Sequence, residues 1–193
     1  MDIAELHRRT QETWTDRLDA ISPDQWGGPT PCSEWTVRDL VNHVAGEDAW
    51  TVPLVRGATI EEVGDSLDGD LLGDPPIDTA TRLAEEASAA VAAALQEGAP
   101  VHLSYGDETL EEYLRQLAAD HLVHAWDLAA AVGGDRVLDA DLVAEVARWF
   151  ADREELYRSG GAVGPRAETS ETGPQAVLLA AGGRDPAWAP PQP

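Results

Sequence analysis

Asp120 and His124 stand four residues apart in the run Asp120-His121-Leu122-Val123-His124-Ala125-Trp126-Asp127-Leu128, where apolar residues recur at helical spacing. On a helix that separation brings a carboxylate and an imidazole onto one face, one turn apart. Groups this polar are costly on an inward face unless a partner satisfies them. A metal ion is one such partner, and His43 supplies a third donor from far upstream. Imidazole suits zinc, nickel and iron(II), while a single carboxylate adds charge and an oxygen ligand. Three protein ligands leave a coordination position open for water or substrate, the arrangement of catalytic rather than structural zinc. Glu47, one turn beyond His43, and His121 are reserve donors. Asp127, three residues after His124, suits either an outer hydrogen bond to an imidazole nitrogen or a solvated helix surface. The residues alone leave another solution open, in which the three groups satisfy one another as a buried hydrogen-bond cluster.

These side chains need helices to hold them. Five segments carry helical period, and none shows a convincing strand alternation. The first runs from about Asp2 to Ala20, with Leu6, Trp14 and Leu18 inward. Thr36 and Asp39 have the spacing of a capping box and open a second helix through Leu40, Val41 and Val44, which Pro53 should end soon after Trp50. A third spans Asp78 to Gln96, with Leu83, Ala87, Val91 and Leu95 inward. Thr109 and Glu112 form another capping-box pattern at the head of the fourth helix, and Gly133-Gly134 ends it. The fifth runs from Asp139 to about Tyr157. Residues Arg56 to Pro76, rich in Gly, Asp and Pro, form a long connection that is a candidate lid. The Gly- and Pro-rich tail from Ser159 carries one short apolar piece, Ala176 to Ala181, able to dock on the helices. The expected fold is all-α: an up-and-down four-helix bundle with an accessory helix (1–158) and a docking tail (159–193), together one domain.

Composition narrows the function. The 36 acidic and 13 basic residues give a formal net charge of -23, which disfavours nucleic acid and anionic membranes as partners. Every basic residue is arginine, so lysine Schiff-base and lysine-nucleophile mechanisms are excluded. Cys32, the one cysteine, forms no disulfide within the chain, and its expected role is packing. With no secretory pattern and no apolar span, the expectation is a cytoplasmic protein. A homodimer stays open.

Two motifs resemble a known family. Thr30-Pro31-Cys32-Ser33-Glu34-Trp35-Thr36-Val37-Arg38-Asp39-Leu40-Val41-Asn42-His43 resembles the opening motif of the DinB/YfiT-like superfamily, in the branch containing the N-terminal domain of mycothiol-dependent maleylpyruvate isomerase. Asp120 to Ala129 resembles its second motif, and Gly183-Arg184-Asp185-Pro186 the closing segment of its single-domain members. The resemblance implies a four-helix bundle holding a divalent metal, usually zinc, on His43, Asp120 and His124. It also implies a small thiol such as mycothiol or bacillithiol as cosubstrate in isomerase or S-transfer reactions, with the thiolate stabilised at the metal. An electrophile is then the second substrate, and Arg82 or Arg115 is a candidate to neutralise it if it is anionic. The isomerase for which the branch is named carries Glu at the position of Asp120 and has a further domain, so its own reaction is not the one expected here. The alternative is a non-catalytic metal- or ligand-binding bundle.

Overall fold

The computed structural model describes residues 1–191. Its helices are α1 (Ile3–Leu18), α2 (Val37–Leu54), α3 (Ile60–Val63), α4 (Pro76–Glu97), α5 (Leu110–Val132), α6 (Ala140–Ala151), α7 (Glu154–Ser159) and α8 (Pro174–Ala181). The only strands among the described residues are β1 (Val101–Leu103) and β2 (Gly106–Glu108), an antiparallel hairpin between α4 and α5. The fold is the expected all-α bundle. Its four long helices close a ring in the order α1, α5, α2, α4, so α2 and α5 lie side by side.

Local chemistry explains where the long helices start and stop. Asp2 caps α1 by accepting from the Glu5 amide, and Thr36 with Asp39 completes a reciprocal capping box on α2. Helices α4 and α5 both end at a glycine in the left-handed region, Gly98 at φ +68° and Gly133 at φ +77°, where a side chain would be strained. Trp14, Leu18, Leu40, Val41, Val44 and Leu128 fill the core beneath one part of the ring.

Several expectations need correction. Pro53 sits inside the last turn of α2, which runs on to Leu54; proline removes one i→i−4 bond there, and the helix continues for only one residue beyond it. The inward stripe of α4 is Ala80, Ala84, Ala87, Ala90, Val91 and Ala94, with Leu83 and Leu95 at its margins. Small side chains there let α2 approach closely. The expected fifth helix is two, broken after Ala151. Glu112 does not reach back to cap α5. It accepts instead from Arg153 and from the Trp149 indole.

The 56–76 connection is not a free lid. It includes the capped turn α3, buries Leu72 completely, and is tied to α2 by an Arg38–Asp70 pair at 2.8 Å and by the Asn42 side-chain amide, whose nitrogen donates to the Gly69 carbonyl and whose oxygen accepts from the Leu71 amide. The apolar piece of the tail is α8, which packs on α6 through Leu178 and Leu179 as expected. The last two residues of the tail lie outside the described part.

Candidate functional site

Adjacency of α2 and α5 brings together residues 77 and more positions apart in sequence. Asp120 Oδ1 lies 3.4 Å from His43 Nε2 and 3.3 Å from His124 Nε2. Donor atoms of all three residues fall within 4.8 Å of one another. The second Asp120 oxygen is buried without a hydrogen-bond partner. Trp35 packs over the two imidazoles, 4.8 Å from the His43 ring and 5.8 Å from that of His124.

The loop before α2 sets Trp35 in place. Thr30 Oγ1 donates to the carbonyls of Cys32 or Trp35 and accepts from the Cys32 amide, while the Trp35 amide donates to the Cys32 carbonyl. Val37 and Arg38 then bond back to Gly28 and Trp26, joining the loop to the first turn of α2.

Behind His124 the ring of contacts continues. His124 Nδ1 is 2.9 Å from Asp127 Oδ2, and Arg184 grips the same carboxylate at 3.0 Å. Burial alone would raise the Asp127 pKa, but Arg184 and His124 outweigh it and hold the carboxylate below its usual range. An ionised carboxylate only accepts, so Nδ1 of His124 carries a proton and Nε2 faces Asp120. Burial likewise opposes charge on His124, yet Asp120 and Asp127 together keep its pKa well above the ordinary value. Arg184 reaches this point because Gly183 turns the chain at φ +80°, with the position of an added Cβ only 3.3 Å from the Pro165 carbonyl oxygen.

Cys32, His124 and Asp127 form a second set with donor atoms within 4.8 Å. It is the poorer cation site: Nδ1 is already bonded to Asp127, and Arg184 also lies 3.3 Å from Cys32 Sγ. A guanidinium there opposes a second cation. Among the described residues no arginine bonds His43, Asp120 or His124 directly.

The two reserve donors part company. Glu47 lines the same cavity as the trio, and burial, then the Asp120 charge, raises its pKa. His121 turns the other way: fully buried, it places Nε2 3.1 Å from Asp48 Oδ1 on the far side of α2. Beside the trio opens a cavity of about 460 Å³, bounded by α5, α6, α7 and the segment around Gly182 and Arg184.

Residues 7–129 match the family described as the mycothiol maleylpyruvate isomerase N-terminal domain. The chain belongs to this family. Two uncharacterized proteins, from two strains of Mycobacterium tuberculosis, are each 34% identical over 155 residues, 75% of this chain and 75% of theirs. In fold it is similar to the crystal structure of a histidine-to-alanine mutant of mycothiol-dependent maleylpyruvate isomerase, with a TM-score of 0.59 and 18% identity over 82% of this chain and 71% of that one. The matched span of the family ends within α5, so Arg184 and the walls from α6 to α8 are supplied from outside it.

Sequence reasoning missed Trp35 and Arg184 as parts of the site, although both stand inside motifs that carry the family resemblance. Arg82 and Arg115 do not line the cavity; they pair with Glu86 and Glu111 on their own helices. Cys32 does more than pack, since its sulfur joins the Asp127–Arg184 cluster.

Proposed function

We propose that this protein binds a divalent metal ion, zinc in the first instance, on His43, Asp120 and His124, and uses it in a thiol-dependent transferase or isomerase reaction with mycothiol or a similar small thiol. One observation carries the reading: two imidazole nitrogens converge on one carboxylate oxygen at the edge of a cavity, while the other oxygen is buried and unpartnered. A bound cation would compensate a carboxylate whose second oxygen lacks a partner. Two nitrogens and one oxygen with an open side are a donor set that zinc, nickel or iron(II) accepts.

When bound, such an ion lowers the pKa of a coordinated thiol, so that thiolate is available near neutral pH. The chain's own residues do the rest. Asp127 holds the proton on His124 Nδ1 and so fixes the ring with Nε2 toward the site. Arg184 keeps Asp127 charged, and the Trp35 ring covers the two imidazoles. The family and the name of the similar isomerase support mycothiol as the thiol. A small thiol and an electrophile are the partners this requires. No helix among the described residues is long and apolar enough to cross a membrane.

The test is elemental analysis of untagged wild type beside His43→Ala and His124→Ala, followed by mycothiol titration of cobalt-substituted protein. The expected result is about one metal ion per chain in wild type, lost in both variants, and a thiolate-to-cobalt absorption band on adding mycothiol. Metal-free wild type whose stability zinc leaves unchanged would return the trio to a hydrogen-bond cluster.

A further inference from the structure

We infer that the cavity beside the trio takes the second substrate, an electrophile with a flat aromatic body lying next to the metal position. The inference rests on the proposed metal site and names the substrate class of that site. Charge in the cavity is gathered at one end. His43, Asp120, His124 and Arg184 are linked through the trio and through Asp127, and Glu47 stands one helical turn from His43 on α2. The remaining walls include Leu117 and Val123 from α5, Val146, Trp149 and Phe150 from α6, and Leu178 from α8. A volume of about 460 Å³ suits a small organic molecule.

Three polar tips on those walls are already engaged, while the Tyr157 hydroxyl, also on the wall, makes no hydrogen bond among the described residues. Trp149 Nε1 donates to Glu112 at 3.1 Å, the Gln116 amide donates to Tyr105 at 2.6 Å, and the Tyr113 hydroxyl shares a hydrogen bond with Thr51 at 3.0 Å. A dicarboxylate electrophile entering here would give up water and find few free partners. An aryl group gives up nothing polar and gains burial against rings. The wall is also set beforehand. Arg153 sits 5.1 Å over the Trp149 ring and donates to Glu112 at 2.7 Å, so the indole is held at both its face and its N–H. A wall fixed before binding loses little freedom when a ligand arrives.

The test compares two probes with the same chelating head, acetohydroxamate and phenylacetohydroxamate, by calorimetry on zinc-loaded protein. Wild type is expected to bind the phenyl compound at least about tenfold more tightly, the scale on which an apolar pocket discriminates. Trp149→Ala should lose that advantage. Val163→Glu, on a half-buried connecting residue that also lines the cavity, should lose it while still loading zinc, which guards against misfolding of the tryptophan variant. Equal affinities in zinc-loaded wild type would overturn the aromatic-ligand inference and leave the metal reading intact. A phenyl advantage unchanged in both variants would place the ring elsewhere and overturn it too. If elemental analysis of the same samples finds no zinc, the metal reading fails and the inference falls with it.

Discussion

Asp127 shows how one side chain can serve two neighbours. It is completely buried, accepts from His124 Nδ1 and carries a doubled contact with Arg184. Asp127→Asn keeps the shape but removes the charge, so His124 loses its anionic partner and Arg184 is left unbalanced. Zinc affinity should fall about 10- to 100-fold, the usual effect of losing such an outer contact; competition with a chromophoric chelator measures it. Unchanged affinity would confine Asp127 to pairing with Arg184. The same residue marks what sequence could tell at this scale. Spacing of four put Asp120 and His124 on one face, and the third donor followed from a second amphipathic helix. Spacing could not say which neighbouring helix an inward side chain meets. His121 and His124 both point inward, yet one meets Asp48 and the other the trio. Arg184 stands 57 positions from its partner, and only the turn at Gly183 brings it there.

Among the helices, a second buried polar network lies behind the site. Gln11 of α1 donates to Asp48 of α2 at 3.0 Å and accepts from Ser88 of α4, while Asp48 also meets His121 of α5. All four helices of the ring thus meet in one cluster. Asp48→Ala should cost about 3–5 kcal/mol in urea unfolding, because it strips a buried imidazole of its charge partner. A loss below about 1 kcal/mol would show the network to be dispensable. His7 of α1 packs edge-on against His121, 5.9 Å between ring centres, and burial, then the His121 charge, lowers its pKa from 6.5 to about 3. The unfolded chain therefore binds a proton at His7 that the fold refuses. Its contribution is complete above about pH 6.5 and is lost as pH falls toward 3, by up to about 1.4 kcal/mol per unit. Between pH 7 and pH 5, wild type should lose about 2 kcal/mol more than His7→Gln. Parallel losses would mean that His7 titrates normally in the fold. Of this network only the inward position of His121 was legible. The hairpin was invisible for a related reason: strands of three residues are too short to display alternation. The long helices, by contrast, were readable from caps and period because each spans several turns.

Over the whole molecule, electrostatics are dominated by a shortage of cations. With 36 acidic and 13 basic residues, even one-to-one pairing would leave 23 carboxylates uncompensated. Many arginines are already used in exposed pairs along one helix, such as Arg8 with Glu5 and Glu12, Arg82 with Glu86, and Arg115 with Glu111. Exposed pairs of this kind contribute at most about 1 kcal/mol each and weaken with salt. Repulsion among the surplus carboxylates acts over longer distances and is screened more completely, since the screening length falls from about 30 Å at 0.01 M to about 10 Å at 0.1 M. The two effects oppose each other, and the surplus of like charge decides the sign: compaction is what the charge resists, so screening favours the fold. The melting temperature should rise between 20 mM and 500 mM sodium chloride, by on the order of 3 °C for each 1 kcal/mol gained in a chain of this size. Scanning calorimetry across that range, on protein of fixed metal content, measures it. A fall would mean that the arginine pairs outweigh the repulsion, and that the excess charge is spread too thinly over the bundle to strain it.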